Sequence, residues 1–211
     1  MDTIKIDPWI GEDYESGGLF GQKVMFLGLS SYLPEKALKK KNEQELKAHL
    51  QADTRDFGLN RSKRNSFWTN IQQLGLGKPV GETSEEERVR FWNSVTLYNY
   101  VPFVVADGPR KDPSDNHLKA AASEFKDVME KHKPDRLVVM SWDVHHQLKE
   151  QFQEYKEVVK KLEEVDGQNF QIRSLNIGDH RCLTVRIRHP SGGLSWKRAR
   201  KAFEQLLACK Y

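Results

Sequence analysis

The residues best suited to chemistry stand together near the end of the chain. Cys182-Leu-Thr-Val-Arg-Ile-Arg188 runs into His189-Pro-Ser191-Gly192-Gly193-Leu194-Ser195, and Trp196-Lys-Arg-Ala-Arg-Lys201 follows directly. An imidazole titrates near neutrality and can steady a developing negative charge or carry a proton. Ser191 and the side-chain-free Gly192 and Gly193 allow a close backbone approach to a phosphate. Leu194 is expected to be an exposed apolar tip, and Arg188, Lys197, Arg198, Arg200 and Lys201 add positive charge around it. Two amides and a hydroxyl belong to the same inventory. Asn99 stands near the carboxyl end of an apolar run, where a polar side chain needs a partner or a ligand. Ser30 follows Lys23-Val-Met-Phe-Leu-Gly28-Leu29, and Asn65 opens Asn65-Ser-Phe-Trp68.

Positioning these groups requires strands and helices in alternation. Lys23–Gly28, Val95–Val101, Leu137–Ser141 and Cys182–Arg188 are short apolar runs of the kind that form buried parallel strands. Helical spacing or composition predicts helices over Pro34–Leu50, Asn65–Leu74, a short stretch ending at Trp92, residues 117–132 and 142–164, and Trp196–Leu207, with Ser195 as the last N-cap and Thr83 with Glu86 as a capping box. Phe170–Leu175 reads equally as a short strand or an ordered loop. Strands separated by helical crossovers predict an α/β, three-layer sandwich with a central four-stranded, largely parallel sheet. His189, Asn99, Ser30 and Tyr32 would then converge at the carboxyl end of that sheet, where ligands bind.

The whole chain of 211 residues suits a single domain, with residues 1–22 as an irregular lead-in. Charged residues make up 30% of it and the net charge is +4, which permits nucleic-acid binding without demanding it. The two cysteines, Cys182 and Cys209, have no metal spacing, so neither a metal nor another cofactor is expected. No long apolar run or leader pattern is present, and the expectation is a cytoplasmic monomer without a membrane partner. Arg61-Ser-Lys-Arg64 ahead of Phe67-Trp68 reads either as a nucleic-acid contact or as a solvated loop before two core aromatics. The adjacent His145 and His146 cannot both face one metal and are read as surface or half-buried side chains.

Taken together, these segments resemble the uracil-DNA glycosylase superfamily. Gly28-Leu-Ser-Ser-Tyr32 is similar to that family's first motif, Tyr98-Asn99-Tyr-Val-Pro102 to the strand whose Asn reads the base, and His189-Pro-Ser-Gly-Gly-Leu-Ser195 to its final motif. Arg64-Asn65-Ser-Phe-Trp68 resembles a signature of the mismatch-specific and hypoxanthine-acting branches. The resemblance spans about residues 23 to 207. It implies a monofunctional DNA glycosylase of base excision repair, a hydrolase that cuts the N-glycosidic bond of a deaminated base, uracil or hypoxanthine. The implied partner is DNA containing such a base.

By the same resemblance His189 would bond the base oxygen as charge develops, Asn99 would read the pairing edge, and Gly28, Leu29 and Tyr32 would line the base pocket. Ser191, Gly192 and Gly193 would grip phosphates, Leu194 would wedge into the stack, and Lys197 and Arg198 would contact the backbone. At the family's catalytic acid or amide this chain has Ser30, and Ser31 replaces the following Pro. A serine hydroxyl orients water but is a poor base. Asn65 is therefore expected to position the water, against its alternative reading as an ordinary helix N-cap. A catalytically inert relative that binds DNA, a nucleotide or a protein is the other function the residues allow.

Overall fold

The computed structural model describes residues 4–31, 33, 39–104, 113–159 and 170–210. Among the described residues a mixed sheet of seven strands lies at its centre. In chain order these are β1 (Trp9–Ile10), β2 (Val24–Ser31), β3 (Val95–Val104), β4 (Arg136–Val139), β5 (Lys156–Val159), β6 (Ile172–Ile177) and β7 (His180–Arg186). Side by side they run β1-β3-β2-β4-β7-β6-β5. The middle block β3-β2-β4-β7 is parallel. β1 joins β3 antiparallel at one edge, and β6 and β5 extend the other edge antiparallel beyond β7.

The helices are α1 (Glu43–Lys47), α2 (His49–Asp53), α3 (Ser66–Leu76), α4 (Glu85–Asn93), α5 (Asp115–His132), α6 (Trp142–Gln151) and α7 (Trp196–Ala208), with a π-helical turn at Thr54–Leu59. Alternation along the strands sends side chains to opposite faces, and both faces are apolar. Val24, Phe26, Leu97, Val138 and Val185 meet Ile71 and Leu74 of α3, Phe91 of α4 and Phe203 of α7. Met25, Leu27, Tyr100 and Val139 meet Phe125 and Met129 of α5 and Leu148 of α6 on the other side. Each such side chain, once fully buried, contributes roughly 1.5–3 kcal/mol, which is what holds the crossovers against the sheet.

Four strands were expected; among the described residues the sheet has seven, four of them the parallel block and three added antiparallel at its edges. The lead-in carries β1, the fully buried Tyr14, and Trp9, whose indole N–H donates to the carbonyl of Trp92 over 2.9 Å. The helix expected over 142–164 stops at Gln151, and β5 follows. Its Lys and Glu content favours a helix locally, but β5 pairs with β6, where Arg173 meets Glu157 across the ladder at 3.3 Å. Tertiary pairing overrides propensity there. The ambiguous Phe170–Leu175 segment contributes β6, joined to β7 by the two-residue turn Gly178-Asp179 with Gly178 at φ 57°.

Smaller corrections have equally local causes. The helix expected over Pro34–Leu50 falls partly outside the described residues, and its described part is the two short helices α1 and α2. The capping box before α4 is Ser84 with Glu87, one residue later than expected. Ser195 precedes α7 but makes no side-chain cap. Among the described residues no helix is long and apolar enough to cross a membrane.

Strand order fixes where a ligand can sit. The chain moves from β2 to β3 on one side, then returns to β4 and β7 on the other. That reversal opens a crevice beside the carboxyl end of β2.

Candidate functional site

A cavity of about 340 Å³ occupies that crevice, lined by Gly28, Leu29, Ser30 and Ser31 of β2, Asn99 of β3, and His189 and Ser191 of the loop after β7. Helical elements close it with His49, Asp53, Phe57, Asn65, Phe67 and Trp68. Its size falls within the roughly 300–1,000 Å³ of small-molecule sites. Seven of the residues singled out from sequence thus share one cavity, although Gly28 and His189 stand at opposite ends of the chain.

Gly28 and Asn99 are partners in the parallel register of β2 and β3. A Cβ at position 28 would lie 2.3 Å from Asn99 Oδ1, so the glycine makes room for the amide. Asn99 is buried, and its Nδ2 donates to Ser31 Oγ at 2.9 Å. The second serine of the pair, not Ser30, therefore orients Asn99. Tyr32 lies outside the described residues.

His189 is placed by β7 and α3. Ile187 N–H donates to Val139 O at 2.9 Å, which keeps the chain in strand direction to within two residues of the ring. Beyond it, Asn70 Nδ2 donates to the carbonyl of Pro190 at 2.7 Å, and Gly192 N–H closes a turn onto His189 O at 2.8 Å. Phe67 packs against the imidazole with ring centroids 5.4 Å apart. Ser191 N–H donates to His189 Nδ1 at 3.2 Å. Nδ1 is then the acceptor nitrogen of a neutral ring, and Nε2 carries the proton. The residue as a whole is exposed at the rim, yet burial of the ring lowers its pKa below the usual 6.5, so the neutral form is favoured.

Asn65 lines the cavity as the N-cap of α3, its side chain accepting from Phe67 N–H at 2.8 Å. The cap engages Oδ1, so the NH₂ group is the end left for a ligand, and it can only donate. Gly192, Gly193, Leu194, Lys197 and Arg198 stand outside the cavity. Leu194 is no exposed tip: it is half-buried against the core, in a shallow cleft with Phe170 and Ala199. Lys197 and Arg198 are exposed on the first turn of α7. Arg200 instead points away, donating to the carbonyl of Leu74 at 3.1 Å and to that of Gly75 and thereby closing the end of α3. After the Arg61–Arg64 cluster, Trp68 is buried in the core and Phe67 packs partly buried against it.

Two polar residues of the cavity were missed from sequence. His49 and Asp53 stand one helical turn apart on α2, with Nε2 and Oδ2 separated by 3.7 Å. Burial raises the Asp53 pKa above the usual carboxylate value and lowers that of His49 below the usual imidazole value. Their His-x-x-x-Asp spacing was the available signal, but it sits in a charge-rich stretch that reads as solvated. Among the described residues no cluster of three or more His, Cys, Asp or Glu side chains gathers as a metal would require. No protein-family model and no curated protein matches the chain.

Proposed function

We propose that this protein is a DNA glycosylase of base excision repair that hydrolyses the N-glycosidic bond of a deaminated base, uracil or hypoxanthine, acting as a cytoplasmic monomer on DNA. The observation that carries the reading is a fixed neutral imidazole facing the same cavity as a fixed amide. The turn at Ser191 leaves the proton on His189 Nε2, while Ser31 and Gly28 hold and accommodate Asn99. The parallel block β3-β2-β4-β7 also suits the glycosylase-like three-layer arrangement.

In this reading the target nucleotide leaves the duplex and its base enters the cavity between Phe67 and the end of β2. Asn99 pairs with the base edge. As the C1′–N bond breaks, its electrons pass to the base, and His189 Nε2–H donates to the base oxygen on which charge accumulates. A neutral donor stabilises that anion without having to lose its own proton. The Ser191, Gly192 and Gly193 loop approaches the neighbouring phosphates, and the exposed part of Leu194 meets the stack. α7 has no acidic residue in its first turn and presents Lys197 and Arg198 there, an arrangement that suits an anionic backbone.

Single-turnover base release from duplexes carrying one uracil or one hypoxanthine tests the proposal. The wild type is expected to release base, and His189→Ala to lose on the order of a hundredfold or more in rate with its Tm retained. An inactive wild type on both lesions, with DNA still bound, favours the inert relative, for which the serines at positions 30 and 31 already speak.

A further inference from the structure

We propose that Asp53 is the group that receives the proton of the attacking water, with His49 as its positioning residue. This assignment rests on the glycosylase reading and supplies what that reading lacks. Ser30 and Ser31 offer no base at the end of β2, Ser31 is engaged by Asn99, and Asn65 presents a donor only. Asp53 is the one carboxylate among the described residues that line the cavity.

Its placement follows from the local chain. His49, Asp53 and Phe57 recur at four-residue intervals, and Leu50 completes the same stripe, so α2 and the π-helical turn turn one face to the cavity. π-helical turns are frequent at functional sites because they re-aim side chains within a helix. Behind this face the Phe57 and Trp68 rings stack at 4.8 Å, which braces the turn against α3. His49 is buried, and its Nε2 stands 3.7 Å from Asp53 Oδ2, the nearest titratable group to that carboxylate on the same helix.

The step balances. The C1′–N bond breaks and its electron pair goes to the base, where His189 Nε2–H supports it. The oxygen of water bonds to C1′ of the oxocarbenium-like sugar, and one water proton moves to an Asp53 oxygen. That proton passes through solvent to the departed base, so the sum is addition of water across the glycosidic bond. Asp53 must be ionised at the start. Burial raises its pKa, and Asp56 adds to this, whereas His49, Lys41 and Lys63 pull it down. A carboxylate so raised accepts a proton more readily than an exposed one.

The test is single-turnover base release by the full-length protein across pH 4 to 9 on a duplex with one hypoxanthine or one uracil. Asp53→Asn is expected to lose about a hundredfold or more in rate while binding the same duplex as tightly, and to lose the limb that rises with pH through the Asp53 pKa. The separate limb set by His189 remains. His49→Gln moves the Asp53 limb to higher pH, a change that loss of packing alone would not make. Asp53→Ala with added sodium formate guards against a folding defect in the first variant, and recovery of rate with formate supports the assignment. An active wild type with an equally active Asp53→Asn, or a folded Asp53→Ala that formate does not rescue, overturns it and leaves the glycosylase reading standing. A wild type inactive on both lesions removes that reading and this assignment with it.

Discussion

The backbone N–H of Ser191 donates to His189 Nδ1 over 3.2 Å, so the loop itself selects the tautomer of the ring. Protonating Nδ1 would set two donors against each other and break the turn.

A pH dependence follows. Burial lowers the folded pKa of His189 below 6.5, so folding favours the neutral ring. The associated stability is fully present above pH 6.5 and is lost as pH falls through the lower folded value. An NMR titration of the His189 ring should give a midpoint below 6.5, with the Ser191 amide resonance shifting at the same pH. A midpoint at or above 6.5 would show that the Ser191 contact does not hold the ring neutral.

Gly28→Ala tests the packing under Asn99. The new methyl would occupy a point 2.3 Å from Asn99 Oδ1, and the side chain can swing aside, so the fold is retained. The contact with Ser31 is then lost, at about 1 kcal/mol. If that loss is felt in the transition state, base release drops about fivefold, given that about 1.36 kcal/mol is one decade, while affinity for undamaged DNA stays unchanged. Kinetics and binding on the same preparation separate the two effects.

Asn65→Ala removes the cap of α3 and should cost about 1 kcal/mol, a fall of roughly 2–4 °C in Tm. Asn65→Ser keeps a capping oxygen and should restore both the Tm and most of the base-release rate. If Asn65→Ser folds normally but releases no base, the amide has a role in water positioning that capping does not explain.

Basic residues of α7 should divide into two groups. Lys197→Ala and Arg198→Ala are expected to weaken binding to all DNA sequences alike, each reducing the salt slope by about 1. Arg200→Ala should leave that slope unchanged and instead cost about 1.5–3 kcal/mol in stability, because it strips charged donors from the carbonyls of Leu74 and Gly75. Salt titrations and thermal melts of the three variants check both halves.

The four parallel strands were legible because each is a continuous apolar run, and Asn99 and His189 stood out as polar residues at the ends of such runs. β1 was not legible, since two residues are too few to show a period. β5 carries Lys and Glu at its start and is a strand only because β6 lies beside it. The site divides the same way. Gly28, Ser30, Asn99 and His189 could be placed from strand ends alone, whereas His49 and Asp53 line the cavity because α2 and its π-helical turn pack over it. No local pattern encodes that placement. Leu194 was misjudged because a leucine in a glycine-rich loop looks free until the neighbouring Phe170 is in place.

The position of β7 bears on how the protein is made. It is synthesised after both of its neighbours, yet it lies inside the sheet, hydrogen-bonded to β4 on one side and β6 on the other. Until it inserts, β4 presents an open edge to other chains, and the cavity lacks the wall that carries His189. The tight turn at Gly178-Asp179 lets β6 and β7 pair locally first, so a preformed hairpin can dock as a unit and shorten the time that edge is exposed. A nascent chain therefore completes the cavity wall that carries His189 in the same event that covers the open edge of β4.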